Sequence, residues 1–411
     1  MPPSSQQNAT FQMRSKFQIQ NLPRRQWMVV KNFGQSGGAL NGGIAKVELK
    51  DDPYDRYFIE KRYDVQQVHD PYFAEKEITL LHQVQDHENV TKYVDHYLDR
   101  RAQKAAVYME FCDAGDLEDV LQFVFKQKRS VQERQIWKWF IGCMDALVYC
   151  HYGPKPNDVS FRKKYWNKIY HRDIKPGNIF LKIDTKKGEI IAKLADFGCS
   201  VSGQWTKLNK VLEQASNASA FTPGYEPPEH PEFSVLTDVW QLALSFASVC
   251  TGTRRPRSKA APNDEWWDKQ HPAGRNYTRE LNDVMRWFLN EDKHKRPDSL
   301  TALKRLKETY SRLESRLPPI GRPTNVYWQP AIARQTQQAP PALSSPGPRA
   351  GGVPGEIPSR RPGPPIHAFS DPGAEWMVQI QNQCQAFRPG QRTPMSPNSI
   401  DQIVQGGGGY P

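Results

Sequence analysis

The chain stops carrying a hydrophobic core near Pro318. From Pro318 to Pro411 its 94 residues hold 18 of the 34 prolines and 12 of the 27 glycines. A segment of that composition cannot bury enough apolar surface to offset the entropy of ordering it. Residues 317–411 are therefore expected to be a disordered tail. The Gln-, Ser-, Asn- and Pro-rich stretch 1–25 is expected to be disordered too. Folding is left to residues 26–316, where apolar patterning is sustained over a length that fits one two-part globular unit. The tails explain why the hydrophobic fraction of the whole chain is only 37%.

The formal charge of +12 could attract nucleic acid or an acidic membrane. No compact run of Lys and Arg interleaved with aromatics occurs, so no nucleic-acid function is expected. Cys112, Cys143, Cys150, Cys199, Cys250 and Cys384 show no paired metal-ligand spacing and several have apolar neighbours. They read as reduced thiols of an intracellular protein, cytoplasmic or nuclear. No stretch resembles a signal peptide or is long enough to span a bilayer.

The first part of the folded region reads as strands. Trp27–Val30 and Lys46–Leu49 flank a Gly-rich turn, and Tyr57–Lys61 forms a third run. Residues 71–85 have Ile78, Leu81 and Val84 at helical spacing. Strand residues 107–112 follow, then a helix with Leu117, Val120, Leu121 and Val124 and an apolar helix over 135–150. Asp116 stands where a helix N-cap is expected.

Two motifs carry the chemistry. His171-Arg172-Asp173-Ile174-Lys175-Pro176-Gly177-Asn178 is followed by Asp196-Phe197-Gly198. They supply a candidate general base, a mobile cation and two oxygen ligands suited to a hard divalent cation. That set matches a reaction in which charge on a moving phosphoryl group is neutralised rather than covalently captured. The pair resembles the catalytic and magnesium loops of eukaryotic-type protein kinases. Lys175, two residues after Asp173, marks the Ser/Thr-specific branch.

The resemblance covers about residues 27–315. It implies an α+β, two-lobed protein kinase fold: a small β-rich lobe with one long helix, about 26–109, and a larger helical lobe, about 114–316. It implies ATP and Mg²⁺ as cofactors and proteins as substrates. Asp173 would be the base, Lys175 would reach the γ-phosphate, and Asn178 and Asp196 would hold metal. Lys61 would contact the α- and β-phosphates and pair with Glu77, with Glu75 as the alternative. Met109 would be the gatekeeper, with the backbone of Glu110 and Cys112 bonding the adenine and Asp116 near the ribose.

The same resemblance places Thr222, in Thr222-Pro223-Gly224-Tyr225-Glu226-Pro227-Pro228-Glu229, beside Asp173 and Lys175. Glu229 would pair with Arg296, and Asp238 would bind the catalytic-loop backbone. Phe221 and Pro227 depart from the family pattern. Arg172 would respond to phosphorylation of Thr206, Ser216 or Ser219. Short stretches around Cys150–Gly153 and Ile174–Leu181 are similar to NIMA-related kinases.

The glycine loop also departs from the family pattern. After Gly34 the chain inserts about six residues before Gly42 and Gly43, and Ala45 takes the place of the third glycine. On this alignment Gly34, Gly42 and Gly43 approach the phosphates and Val47 covers the adenine. The insertion keeps a second reading open, a nucleotide-binding scaffold without strong catalysis.

The segment 253–277, with Arg254, Arg255, Arg257, Lys259, Trp266 and Trp267, fits no family pattern and reads as a surface loop or a docking insert. In the tail, Arg360–Pro365 could adopt polyproline II and engage an adaptor protein. Ser345, Thr393 and Ser396, each before a proline, are candidate phosphorylation sites. Residues 374–386 could form a short helix on binding a partner.

Overall fold

The computed structural model describes residues 25–34, 41–50, 52–54, 56–64, 73–99, 101–102, 104–203, 222–254 and 268–320. Thr206, Ser216, Ser219, Phe221, most of the 253–277 segment and the tail motifs lie outside them. So do residues 35–40 of the glycine loop.

The small lobe is one antiparallel sheet of five strands in the order β1-β2-β3-β5-β4. These are β1 (Trp27–Gly34), β2 (Asn41–Leu49), β3 (Tyr57–Asp64), β4 (Tyr93–Asp99) and β5 (Lys104–Glu110). One helix, α1 (Phe73–Val84), connects β3 to β4. Side chains alternate across a strand, so the sheet has two chemically distinct faces. Ala45, Val47, Phe58, Ala106 and Tyr108 form a small cluster on one of them. Trp27 caps that cluster, stacked on Tyr108 at 4.3 Å between ring centroids. The opposite face joins the main core through Val107, Met109 and the Ile78, Leu81 and Val84 ridge of α1.

The large lobe is built on α2 (Leu117–Gln127), α3 (Glu133–Tyr152), α5 (Val235–Thr251), α6 (Arg279–Phe288) and α7 (Ser299–Leu313). Asp116 and Asp119 form a capping box that starts α2, and Ser234 with Thr237 does the same for α5. Residues 237–250 of α5 are all buried, because this helix runs through the middle of the lobe. Near the lobe's end, Arg134 reaches from α3 to Glu314 and to backbone carbonyls of Glu314, Leu317 and Pro318.

Between α3 and the catalytic loop the chain adds α4 (Val159–Tyr165), capped by Asp158. Sequence patterning marked no helix over this stretch. Gly153 closes α3 with φ 77, and a Cβ there would come within 2.6 Å of the Trp166 ring. Glycine is thus required both by conformation and by the approach of the insertion. Two short strand pairings complete the lobe. β6 (Ile169–Tyr170) pairs with β9 (Val201–Ser202), and β7 (Ile179–Asp184) pairs with β8 (Glu189–Leu194).

Among the described residues no helix is long and apolar enough to cross a membrane. The five described cysteines are free thiols.

Candidate active site

Lys61 comes first, because alternation along β3 turns it toward α1. Its Nζ lies 2.8 Å from Glu77 Oε1 and 3.1 Å from Oε2. It also lies 2.8 Å from Asp196 Oδ1, 135 positions away in the chain. Glu75, the alternative partner, is not the residue that meets Lys61. Burial alone would lower the Lys61 ammonium, but Asp196 and Glu77 outweigh it and hold the group above its ordinary value. Burial would likewise raise Asp196, yet Lys61 keeps that carboxyl well below the usual range. Glu77 is raised, chiefly by burial.

The catalytic loop is held from beneath by α5. Asp238 Oδ2 accepts from the His171 amide and from His151 Nε2, both at 2.9 Å, and Oδ1 accepts from the Arg172 amide at 2.9 Å. Gln241, which sequence reasoning missed, accepts from the Ile174 amide at 3.2 Å and donates to the Arg172 carbonyl at 3.0 Å. Arg172 has φ 72, an uncommon conformation for a residue with a Cβ. Its guanidinium is buried 4.4 Å from the Phe233 ring centroid.

Asp173 sits where several loops converge. Its Oδ1 accepts from the Thr222 hydroxyl at 2.7 Å and the Thr222 amide at 3.2 Å. Its Oδ2 meets Lys175 Nζ at 3.1 Å and Asn178 Nδ2 at 3.0 Å. Lys175 also donates to Thr222 Oγ1 at 2.7 Å. Burial would lower Lys175, but Asp173 and Asp196 raise it overall.

Two oxygens of this group fit a hard cation. Asn178 spends its amide hydrogens on the carbonyl and carboxylate of Asp173, which leaves Oδ1 as an acceptor. Asp196 stays ionised, and its side chain is 42% exposed. Among the described residues no cluster of three or more His, Cys, Asp or Glu could hold a metal.

The segment after residue 221 is anchored by an ion pair. Arg296 meets Glu229 through two parallel bonds of 2.8 and 3.1 Å. Arg296 is also packed 4.8 Å from the Trp240 ring centroid. Burial would raise Glu229, but Arg296 lowers it overall. Replacing Arg296 by alanine leaves Glu229 without its partner, and a loss of about 3–5 kcal/mol is expected. Urea unfolding measures it, and an unchanged midpoint would show that the pair is not a clamp.

A model of the protein kinase domain matches residues 41–310. The chain belongs to the protein kinase family. It is 31% identical over 188 residues to the G2-specific protein kinase fin1 of Schizosaccharomyces pombe, covering 42% of this chain and 24% of that protein. It is 26% identical over 276 residues to the probable serine/threonine-protein kinase nek2 of Dictyostelium discoideum, covering 65% and 59%. It is 27% identical over 240 residues to the G2-specific protein kinase nimA of Emericella nidulans, covering 53% and 32%. Its similarity is thus to the NIMA-related branch. The chain spans less than two thirds of the length of each of these relatives. Protein kinases in general use ATP with a divalent cation.

The structure corrects one sequence expectation about this kinase. Val47 does not face the cleft. Lys46 is directly opposite Ile59, and Ile44 is opposite Lys61. Directly opposed residues share a face, so the Lys61 face carries Ile44 and Lys46. Val47 is fully buried on the other face with Phe58 and Tyr108. A one-residue error in register moves every side chain of a strand to the wrong side, and the inserted glycine loop hid the register. Gly34 and Gly43 have φ 81 and 120 and lie on the two strands where the loop leaves and returns, with Gly42 beside them.

Met109 is buried on the core side of β5. Glu110 is more than a backbone contact. Its carboxylate lies 2.7 Å from both Lys182 and Lys193, on β7 and β8. Its amide already donates to the Lys92 carbonyl at 3.0 Å. Cys112 follows in the connecting segment, and burial pushes its thiol up to about 12. Asp116 accepts from the Asp119 amide as the cap of α2.

Proposed function

We propose that this chain is a Ser/Thr protein kinase that transfers the γ-phosphate of ATP to protein hydroxyls. The observation that carries the reading is Lys61 bonded at once to Glu77 and Asp196. A scaffold that only held nucleotide would need that assembly too, but not Asp173 bonded to Lys175 and Thr222 beside it, and this favours catalysis. The glycine loop, which raised the scaffold alternative, lies partly outside the described residues.

In this reading Lys61 contacts the α- and β-phosphates while Glu77 fixes its position. Asn178 Oδ1 and Asp196 would hold magnesium, which when bound would supply positive charge against the phosphates. Asp173 orients the acceptor hydroxyl and takes its proton. Lys175 carries a positive charge beside that point, and Thr222 aligns both side chains. The carbonyl of Glu110 and the backbone of Cys112 bond the adenine beside Met109, because the Glu110 amide is committed to Lys92. Asp116 lies toward the ribose, and Gly34, Gly42 and Gly43 approach the phosphates. Arg172, Glu229, Asp238 and Arg296 support the architecture.

The domain is read as 26–316, with 1–25 and 317–411 as flanking segments, the latter a site for adaptor proteins. We place the protein in the cytoplasm or nucleus. The test is labelled Mg-ATP with casein followed by phosphoamino-acid analysis. Phosphoserine and phosphothreonine are expected. Phosphotyrosine alone, or tight Mg-ATP binding without transfer, would overturn the reading.

A further inference from the structure

The roof of the cleft contains a lysine where an apolar residue would be expected to cover a base. We infer that Tyr57 and Phe111 form an aromatic clamp that holds the Lys46 ammonium out of the nucleotide site, leaving its methylene stem as the roof. This rests on the kinase reading above, which puts the nucleotide beneath the Lys61 face of the sheet.

The geometry is direct. Lys46 shares the Lys61 face through its pairing with Ile59. Its Nζ lies 3.4 Å from the Tyr57 ring centroid and 4.7 Å from that of Phe111. The two rings meet edge to face at 6.5 Å. Tyr57 begins β3, and Phe111 lies just past β5 in the segment that joins the lobes. The ammonium is thus drawn toward the start of β3 and the end of β5.

A second charge acts in the same direction. Lys31 on β1 is directly opposite Lys46, and like charges opposed across a ladder repel. Glu48, on the same face of β2 as Lys46, supplies the opposite charge. Burial first and Lys31 second lower the Lys46 ammonium, while Glu48 raises it. The charged form is therefore disfavoured by burial and by Lys31, and two aromatic faces join Glu48 in offsetting that. A long side chain can cover apolar surface with its stem while its head group lies elsewhere.

Without Tyr57, the nearer of the two rings, the ammonium is held less firmly and can turn toward the space a flat apolar base would occupy. Tyr57→Ala is therefore expected to raise the Kd for Mg-ATP about five- to ten-fold. The turnover at saturation should not fall, because no group touching the phosphates has changed. Tyr57 is 43% exposed, so the variant should fold, and its melting curve checks this. Lys46→Met keeps a stem without a charge. In the Tyr57→Ala background it should return the Kd to within about two-fold of the original.

Calorimetric titration of the full chain with Mg-ATP reads all three proteins. A Tyr57→Ala Kd equal to the original overturns the clamp. So does a double variant as weak as the single one, since the loss would then come from shape rather than charge. If the unsubstituted chain binds no Mg-ATP, the kinase reading fails and the clamp with it. If it binds and phosphorylates casein, failure of the rescue counts against the clamp alone.

Discussion

Replacing Asp173 by asparagine should slow phosphate transfer by about 10²–10⁴-fold, the range that a positioned general base contributes. The amide keeps the shape of the carboxylate but cannot accept the hydroxyl proton. Thr222 would lose a charged acceptor on one side, and Lys175 would lose its counter-charge on the other. Neither Lys61 nor Glu77 contacts Asp173, and Asp196 keeps its bond to Lys61. Mg-ATP affinity should therefore stay within about two-fold while kcat and kcat/KM fall together, the pattern of an interaction made at the transition state. Steady-state kinetics on casein, beside a binding titration, separate the two quantities. A loss of under ten-fold would remove Asp173 from the role of base. A matching loss of nucleotide affinity would mean that it acts instead through Asn178.

Asp238→Ala should strongly destabilise the large lobe, costing about 3–5 kcal/mol. The deletion strands three buried donors at once: the amides of His171 and Arg172 and the His151 ring. It also releases Arg172 from the φ 72 conformation that these bonds help to fix. The catalytic loop should relax, so activity should drop in the fraction that remains folded. Asp238→Asn, which keeps a carbonyl oxygen, should recover part of the stability. Urea unfolding of the three proteins gives the order, and equal midpoints for the alanine variant and the parent would contradict this account. The loss is structural, because Asp238 lies beneath the loop and carries no chemistry.

These two carboxylates illustrate what could be read in advance. Asp173, Asn178 and Asp196 stand at spacings that only a few architectures produce, so motif order alone located them. The Lys61 and Glu77 pair was legible because a strand and a helix each signal their period. Glu75 and Glu77 could not be separated by helical spacing alone, and packing of the Ile78, Leu81 and Val84 ridge made the choice. Val47 failed for a local reason. In Asn41–Leu49 the residues alternate Ile44, Lys46, Glu48 against Ala45, Val47, Leu49. Hydrophobicity then favours the wrong set for the cleft, because Trp27, Phe58 and Tyr108 build a second apolar layer above the sheet. The signal that could have corrected it is Lys61 itself, counted back through the hairpin to Ile44. Helix α4 was hidden for another reason. It has one buried side chain, Phe161, and too little periodicity to show. Asp158 before it was the available clue, as an N-cap.

The contacts of Glu110 set how the two lobes can move. A half-buried carboxylate held by two lysines of the β7–β8 hairpin bolts the end of β5 to the large lobe. Separating such a charge cluster is expensive, so flexing of the connector there is opposed. Any rocking of the small lobe must turn on an axle displaced toward the sheet. Lys61, out on the lever arm beyond that axle, sweeps farther per degree than the backbone at Glu110 does. Opening the cleft is therefore expected to stretch the Lys61 to Asp196 bond before it strains the contacts of Glu110.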